Sequence, residues 1–301
     1  MKKLPITILI PTLNAEAHLS YLLDSIEDTV EDIFIVDSRS VDKTVDIALE
    51  RNIKIIQRPF TGFGDQLRWM MTRLPIKTPW LFVMAQDERF SDSLKETLRK
   101  LFATLPPLNG YTVKWRLWFM GRPLHATVDN LRLFRKNACQ VSDVICNEHF
   151  LVDGPTGKLD GILEHKDSLT LFDWYEKQNL YTSWEALERI KGKGAQEAPN
   201  LFGSRLQRKM FFKRLFIRLP GGSLVLFFFY LFKFGAWRDG REGWTWAKLR
   251  VWVHKTGTLK ELEMRRSGVI PALPKARHGD FDPRILQSAL QQQLLPEVGL
   301  K

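Results

Sequence analysis

Short β-branched runs alternate with helical stretches through the first third of the chain, and this alternation constrains the fold more than any other feature. Strands are predicted at Ile6–Ile10, Ile33–Val36, Ile53–Ile56 and Trp80–Met84. Helices are predicted at Ala17–Ile26, Asp42–Arg51 and Asp92–Leu105. Strand–helix spacing of this kind is typical of βαβ units, so we expect an α/β fold with a mostly parallel sheet.

The pattern changes after residue 110. Extended segments at Tyr111–Phe119 and Leu131–Phe134 indicate antiparallel or mixed strands, and a helix is predicted at Leu171–Ile190. Lys191–Ala195 is predicted to be a flexible hinge, and the Pro- and Gln-rich tail after Pro271 is expected to be loosely ordered. The predicted regions are an α/β domain at 1–195, a basic, aromatic helical region at 196–270 and a tail at 271–301.

The composition is that of a folded protein. Hydrophobic residues make up 44% of the 301 residues and charged residues 26%, which excludes disordered, fibrous and collagen-like classes. Cys139 and Cys146 provide neither a disulfide framework nor a zinc quartet, in keeping with a reducing compartment. The apolar run Met1–Leu13 contains Pro5 and Pro11 and is not followed by a cleavage site, so we expect no secretory signal and a cytosolic protein.

Most of the net charge of +11 lies in one segment, since eight Lys or Arg residues and no acidic residue lie between Glu197 and Asp239. The uncharged run Leu219–Phe232 is too short to cross a bilayer as a helix, which needs about 20 residues. Basic residues interleaved with aromatic ones predict a helix in the plane of an anionic membrane. The alternative is a helical hairpin packed on the preceding domain or on a dimer partner, and without a recognised motif we expect no nucleic acid partner. The predicted membrane residues are Arg205, Arg208, Lys209, Phe211, Phe212, Lys213, Arg214, Phe216 and Arg218.

Polar residues follow the first two predicted strands. Ligands of open α/β sheets bind beyond the carboxyl ends of the strands, which makes these residues candidates for binding. The candidates are Thr12, Asn14 and Glu16 after the first strand, with the adjoining Pro11, and Asp37 and Ser38 after the second. The absence of a Gly-x-Gly-x-x-Gly motif argues against a dinucleotide fold. Asp37 alone is equally compatible with holding a nucleotide and with capping the next helix.

Several ordered blocks resemble the family 2 inverting glycosyltransferases, and among them the subgroup of β-1,4-glucosyltransferases that act on the lipopolysaccharide inner core. The opening is carried by "ILIPTLNAEAHL" and "IFIVDSRSVDKT". Further blocks are "RPFTGFGDQLRWMM", "PWLFVMAQDERFS", "RLWFMGRPL", "NLRLFRKNA", "ICNEHFLVDGPTGKLDGILEH", "WYEKQNLYTSWEA" and "FKFGAWRDGREGWTWAKL". The resemblance covers about Ile6 to Ala186 and a C-terminal segment.

The resemblance implies a glycosyltransferase A-type, Rossmann-like nucleotide-binding domain with a mixed sheet, followed by a basic amphipathic helical extension. It makes residues 1–195 the catalytic domain, with a donor half at about 1–109 and an acceptor half at about 110–195. It implies inverting transfer of a hexose from a nucleoside diphosphate sugar, expected to be a UDP-sugar, to a lipid-linked saccharide such as the lipopolysaccharide core. The expected location is the inner face of the cytoplasmic membrane, and no particular oligomeric state follows. Two alternatives stay open: a polyprenyl-phosphate glycosyltransferase and a non-catalytic protein that binds sugar nucleotides.

The block after the fourth strand departs from the family pattern. Such transferases usually have Asp-Ala-Asp-Glu there, whereas this chain has Ala85, Gln86, Asp87 and Glu88. Mg²⁺ and Mn²⁺ bind through carboxylate and phosphate oxygens, and the resemblance leaves Asp87, alone or with Glu88, to hold the metal. It adds His165 as a ligand of the metal or diphosphate site, with a buried structural histidine as the alternative. With Ala85 in place of the first aspartate, we expect either weaker metal binding or a diphosphate held by basic groups.

The resemblance assigns the catalytic base to Glu148. The acceptor hydroxyl must lose a proton as it attacks, and a positioned carboxylate can take that proton. Gln86 and Asp87 are assigned to the donor, and Arg132 and Lys177 are either phosphate ligands or surface charges. The glycine-hinged loop at 60–68 contributes Gly64, Gln66 and Arg68 as donor contacts, with an ordinary strand-to-helix turn as the alternative.

Overall fold

The computed structural model describes residues 2–142, 148–168, 170–191, 200–203, 207–208, 211–212, 215–216, 219, 221–271 and 279–295. Cys146, most of the predicted hinge and five of the predicted membrane residues lie outside this description; the five are Arg205, Lys209, Lys213, Arg214 and Arg218. The chain divides into two compact units. Unit 1 comprises Met1–Trp115, Asp129–His165 and Lys275–Lys301, and unit 2 comprises Arg116–Val128 and Lys166–Pro274. This division differs from the predicted boundary at residue 195.

Among the described residues, eight strands form one mixed sheet. They are β1 (Leu4–Thr12), β2 (Val30–Asp37), β3 (Lys54–Gln57), β4 (Trp80–Val83), β5 (Glu88–Phe90), β6 (Gly110–Phe119), β7 (Arg122–Arg135) and β10 (Thr156–His165), in the order β3-β2-β1-β4-β7-β6-β10-β5. The strands β1 to β4 pair in parallel, whereas β4–β7 and β5–β10 are antiparallel. Two short strands, β8 (Cys139–Val141) and β9 (Phe150–Val152), form a separate antiparallel pair.

Helices cover both faces of the parallel strands. They are α1 (Glu16–Ile26), α2 (Thr44–Glu50), α3 (Phe63–Arg73) and α4 (Asp92–Phe102). Side chains of a strand alternate between the two faces of its sheet, and in β1 Ile8 and Ile10 enter one hydrophobic core while Leu9 enters the other. The seven strands and helices predicted for residues 6–105 are confirmed, with ends shifted by no more than three residues.

Unit 2 is mainly helical. Its helices are α5 (Leu171–Ile190), α6 (Gly222–Phe228), which continues into a π-helical turn at Phe229–Lys233, and α7 (Gly240–Ser267). The predicted bounds of α5 are confirmed, and Thr170 and Asp173 form a capping box at its start. Leu226, Tyr230 and Trp246 pack in one core with Phe119 and Leu124. Within the described part of the chain, no helix combines the length and apolarity needed to cross a bilayer.

The C-terminal segment differs from the loosely ordered tail that we predicted. Residues 279–295 include two short helices, α8 (Pro283–Leu286) and α9 (Ala289–Leu294), that belong to unit 1. Ile285 is buried in one core of the sheet and Leu294 in the other. Helices of four and six residues are too short to show an amphipathic period, so composition alone suggested disorder.

Candidate functional site

The first three strands end in register, which places their last polar side chains together. Thr12 pairs with Asp37 across β1 and β2, and Asp37 pairs with Gln57 across β2 and β3. The buried Asp37 carboxylate accepts hydrogen bonds from Thr12 Oγ1 (3.0 Å), Gln57 Nε2 (2.9 Å), and both the backbone N–H (2.8 Å) and the hydroxyl (2.5 Å) of Ser40. Asp37 therefore holds the turn after β2, and a nucleoside would reach this carboxylate only by replacing one of these donors.

The two turns that follow β1 and β2 are joined by hydrogen bonds. The Asn14 backbone N–H donates to Ser40 Oγ (2.8 Å), and the Val41 N–H donates to Asn14 Oδ1 (2.9 Å). The Lys43 N–H donates to Glu16 Oε2 (3.1 Å). Asn14 has a positive φ of 50°, a conformation that asparagine tolerates better than most residues. The structure thus brings the predicted residues of both turns together, with Asn14 and Glu16 as the links.

Gln86 joins the end of β4 to the end of β1. Its Oε1 accepts from the Leu13 backbone N–H (2.9 Å) and its Nε2 donates to the Leu13 carbonyl (3.1 Å). This paired amide contact occupies the side chain that we predicted to bind the donor. Pro11 belongs to the end of β1, and the Ser38 N–H donates to the Thr12 carbonyl (2.8 Å). Contact of these residues with a donor stays a prediction.

Glu88 and Arg132 form a buried ion pair. Arg132 Nη2 lies 2.5 Å from Glu88 Oε1, and the Ala85 backbone N–H donates to Glu88 Oε2 (2.9 Å). Burial raises the pKa of the Glu88 carboxyl above its usual range, and the nearby Arg132 charge opposes that rise. Both carboxylate oxygens are thus engaged, which leaves Asp87 as the carboxylate of this turn that is suited to a metal.

Asp87 and His165 supply a carboxylate and an imidazole side by side. His165 Nε2 lies 3.3 Å from Asp87 Oδ2, and both residues are 6% exposed. The Trp115 ring covers the imidazole, with ring centroids 3.9 Å apart and an angle of 32° between the planes. Oxygen and imidazole nitrogen are ligands that Mn²⁺ accepts, and Mg²⁺ takes carboxylate oxygens and completes its shell with water or phosphate. The donor set therefore fits the metal that the resemblance implies.

Three buried nitrogen atoms around this pair make no hydrogen bond to any part of the chain that the structure describes. They are Trp115 Nε1, Arg132 Nε and His165 Nδ1. Arg132 is 9% exposed, and its guanidinium carbon lies 5.7 Å from the centroid of the Trp115 ring. A buried donor without a partner costs about 1–3 kcal/mol, and an anion with several oxygens would remove that cost. The cluster is therefore suited to a phosphate-bearing ligand.

The loop before α3 contains an arginine that the sequence analysis missed. Arg58, the first residue after β3, donates to Asp65 Oδ2 (2.5 Å) and Gln66 Oε1 (2.8 Å). Gln66 is buried and Gly64 lies in the first turn of α3, while Arg68 Nη2 lies 4.0 Å from Asp65 Oδ1. A basic residue directly after a predicted strand lies where ligands of α/β sheets bind, so Arg58 could have been chosen as a candidate from the sequence. Donor contacts by Gly64, Gln66 and Arg68 stay predictions.

Glu148 lies just before β9 and is half-buried. The neighbouring His149 is fixed by two hydrogen bonds with Ser142: its N–H donates to Ser142 Oγ (2.8 Å), and its carbonyl accepts from the Ser142 N–H (3.0 Å). No hydrogen bond or ion pair joins the Glu148 side chain to other described residues. The structure therefore leaves the predicted base available, and its role stays a prediction.

Lys177 belongs to unit 2, unlike the other predicted donor residues. It forms an ion pair with Asp167, and its ammonium lies 5.8 Å from the Tyr181 ring centroid. A phosphate contact by Lys177 stays a prediction.

Four of the predicted membrane residues fall within the description: Arg208, Phe211, Phe212 and Phe216. Their aromatic members contact one another, with ring centroids 5.8 Å apart for Phe211 and Phe212 and 6.2 Å apart for Phe212 and Phe216. Arg208 and Phe212 are exposed. Contact with a membrane stays a prediction.

Comparison with known proteins places the chain among glycosyltransferases. Residues 7–141 match the model of glycosyl transferase family 2. The lipopolysaccharide core biosynthesis glycosyltransferase LpsC of Rhizobium meliloti (strain 1021) is 28% identical over 255 residues, which cover 80% of this chain and 86% of that protein. An uncharacterized glycosyltransferase of Rickettsia typhi (strain ATCC VR-144 / Wilmington) is 25% identical over 239 residues, covering 72% and 78% respectively.

Among solved structures, glucosyl-3-phosphoglycerate synthase from Mycobacterium tuberculosis, crystallised with Mn²⁺, UDP and glucosyl-3-phosphoglycerate, aligns with a TM-score of 0.31 and 20% identity. The alignment covers 37% of this chain and 44% of that chain. The predicted α/β fold of the glycosyltransferase A type is confirmed by the mixed sheet with helices on its faces and by the family match.

Proposed function

We propose that this chain, a glycosyltransferase with a family 2 domain at residues 7–141, transfers a hexose from a nucleoside diphosphate sugar to a lipid-linked saccharide. The similarity to a lipopolysaccharide core glycosyltransferase over 80% of the chain supports a core saccharide as the acceptor. It also supports the inner-core glucosyltransferase-like subgroup. The transfer would invert the anomeric configuration, as in the family that the motifs resemble.

The observation that carries this proposal is the group of unpartnered buried nitrogen atoms beside Asp87. Trp115, Arg132 and His165 each present one such nitrogen among the described residues. A diphosphate offers enough oxygen acceptors to satisfy them. The turns after β1 and β2 lie at the same edge of the sheet, where a nucleoside attached to that diphosphate would bind. We take uridine diphosphate as the nucleotide.

Asp87 and His165 would hold a Mg²⁺ or Mn²⁺ ion. When bound, such an ion neutralises the charge that develops on the departing diphosphate. Ala85 contributes no carboxylate, so the cationic side chain of Arg132 would carry a larger share of that charge. Arg132 is suited to this task because the donors of a guanidinium group have a fixed planar geometry.

Glu148 would act as the base in a direct displacement. The acceptor hydroxyl oxygen forms a bond to the anomeric carbon while the bond from that carbon to the diphosphate oxygen breaks. The electron pair of the broken bond leaves with the nucleoside diphosphate, and the hydroxyl proton passes to the Glu148 carboxylate. A single displacement of this kind inverts the anomeric centre.

The acceptor would be reached from the inner face of the cytoplasmic membrane. The eight positive charges between Glu197 and Asp239 support an anionic lipid surface as the partner. The exposed side chains of α6 and the following turn support the same partner, because Leu224, Phe228 and Phe232 are 60%, 42% and 61% exposed. A segment that is both cationic and apolar on its surface matches an anionic interface.

Substitution of Glu148 by Gln tests the proposed base. We expect kcat for transfer to a core saccharide to fall by about 10²–10⁴-fold, because the amide cannot accept the proton. The Kd of UDP, measured by calorimetry, should stay within about twofold since Glu148 is not assigned to the nucleotide. Glu176→Gln, the same change at an exposed position of α5, is the matched control.

Undiminished transfer by Glu148→Gln would contradict the role of Glu148. Measuring transfer to polyprenyl phosphate distinguishes this acceptor from a core saccharide, because a phosphate acceptor is already anionic and needs no base. If the protein prefers polyprenyl phosphate and Glu148→Gln keeps that activity, the core saccharide is not the acceptor.

A further inference from the structure

The C-terminal segment 279–295 covers the open edge of the sheet. The edge strand is β3, and its last residue, Gln57, has a backbone that would otherwise face solvent. The side chain of Gln291 fills this position: its Oε1 accepts from the Gln57 N–H (3.0 Å) and its Nε2 donates to the Gln57 carbonyl (3.3 Å). Gln291 is fully buried. The Gln291 amide thus takes the place of the peptide group of a neighbouring strand, and it satisfies the backbone N–H and carbonyl of Gln57 at the sheet edge.

The side chain of Gln57 continues this connection to the candidate nucleoside site. Its Oε1 accepts from the Asp282 backbone N–H (2.6 Å), and its Nε2 donates to Asp37 Oδ2 (2.9 Å). The Gln57 side chain therefore connects the C-terminal segment, through its Oε1, to the Asp37 carboxylate, through its Nε2. Because these atoms are buried, any displacement of Gln291 or Asp282 leaves Gln57 with unsatisfied groups.

A second connection reaches the turn after β2. The Gly279 N–H donates to the Arg39 carbonyl (2.8 Å), and the Arg39 guanidinium carbon lies 5.1 Å from the centroid of the Phe281 ring. Arg39 has a positive φ of 62°, a conformation that is unfavourable for a residue with a Cβ atom. The contacts with Gly279 and Phe281 offset that cost. The C-terminal segment therefore also stabilises the turn between Ser38 and Ser40.

The segment is anchored independently of these polar contacts. Ile285 is buried in the core on one face of the sheet and Leu294 in the core on the other. Arg284 Nη1 also lies 2.8 Å from Asp46 Oδ1 on α2. Because both faces are engaged, the segment has a fixed position from which Gln291 and Phe281 can act.

We propose that residues 279–295 position the nucleotide-binding turn, with Gln291 and Phe281 as positioning residues for Asp37 and Arg39. The inference rests on the proposed function, which places the nucleoside at the turns after β1 and β2. The segment pays the conformational cost of the Arg39 turn before the ligand arrives, so its loss weakens binding of the nucleotide. It does not contact the reacting atoms, and the chemical step is unaffected.

The test is Gln291→Met in the full-length protein, with UDP as the probe. Methionine keeps the length and burial of the side chain but removes both hydrogen bonds to Gln57. We expect the Kd of UDP and the KM of the sugar donor to rise about 5- to 10-fold, the loss expected for about one hydrogen bond. The kcat at saturating donor should stay within about twofold. Gln292→Met, the same change at the exposed neighbouring residue, is the matched control and should leave the Kd unchanged.

Phe281→Leu is the second variant, because it changes the contact with Arg39 without touching Gln57. It should also raise the Kd of UDP. A lower melting temperature with an unchanged Kd in both variants would overturn the inference, since the segment would then be structural alone. If wild-type protein fails to bind UDP at all, the proposed function falls and this inference with it. The two failures are thus distinguished by the wild-type measurement.

Discussion

Glu88 and Arg132 are two buried charges of opposite sign beside the candidate metal ligand Asp87. Removing both charges from water costs several kcal/mol per ion, and their mutual attraction often does no more than balance that cost. The pair is therefore a weak source of stability while both members are present. Removing one member is different, because the other is left buried without compensation. A role in the site explains the pair better. Arg132 Nε makes no hydrogen bond to the described residues, so its N–H is available to a bound anion.

Arg132→Met should make stability depend on pH. Without Arg132, the pKa of the buried Glu88 carboxyl rises further, because the charge that most strongly opposes the effect of burial is then absent. A carboxyl whose folded pKa lies above its unfolded value contributes stability at pH below the unfolded pKa and loses it as pH rises through the folded pKa. The variant should therefore be about 3–5 kcal/mol less stable than wild type at pH 8 and less affected at pH 5.

Urea unfolding at both pH values measures this difference. The control is the double variant Glu88→Gln/Arg132→Met, which has no titrating group at this position. Its free energy of unfolding should change between pH 5 and pH 8 no more than that of wild type. An Arg132→Met variant whose loss is the same at both pH values would contradict the assignment to Glu88.

At the scale of elements, α4 packs closely on β10 through a glycine. A Cβ added to Gly161 would lie 2.4 Å from Leu94 Cα, and the contacted atom belongs to the helix backbone. Gly161→Ala should therefore force the helix away from the strand and lower the free energy of unfolding by about 1–3 kcal/mol. Gly257→Ala on α7 is the matched control, because its added Cβ would meet no atom closer than 3.7 Å. In a helix interior that change should be neutral or stabilising.

Thermal and urea unfolding of both variants decide this prediction. An alanine at Gly161 that leaves stability unchanged would mean that α4 and β10 are not in such close contact.

The same elements explain how much of the fold could be predicted. β1 and β2 could be predicted because their apolar runs are continuous, as expected for strands buried on both faces. β10 could not be predicted, because Gly157, Asp160 and Gly161 interrupt its alternation of apolar and polar residues. The packing of Gly161 on Leu94 cannot be inferred from either segment alone. In the site, register explains why Thr12, Asp37 and their neighbours converge. The partners of Arg132 and Gln57 lie 44 and 234 residues away in sequence, beyond the reach of local patterns.

At the scale of the whole molecule, the segment of the sequence that carries eight positive charges, between Glu197 and Asp239, also contains exposed apolar side chains. On α6 and the following turn, Leu226 and Tyr230 are buried in the unit's core, whereas Phe228 and Phe232 are exposed with their rings stacked 5.9 Å apart. A solvent-facing helix surface normally carries polar side chains. An apolar surface within a segment of eight positive charges is instead complementary to an anionic lipid interface, where rings enter the acyl boundary and cations meet the headgroups.

Vesicle sedimentation tests this assignment with the double variant Phe228→Glu/Phe232→Glu. Wild-type protein should bind phosphatidylglycerol-containing vesicles more tightly than phosphatidylcholine vesicles, and the variant should lose at least about tenfold in affinity because two apolar rings no longer leave water. Leu259→Glu/Leu262→Glu on α7 replaces two other exposed apolar side chains with the same added charge, so it separates loss of the rings from loss of net positive charge. If both double variants lose affinity equally, attraction is purely electrostatic and the face of α6 does not enter the lipid. If neither loses affinity, the membrane contact lies elsewhere.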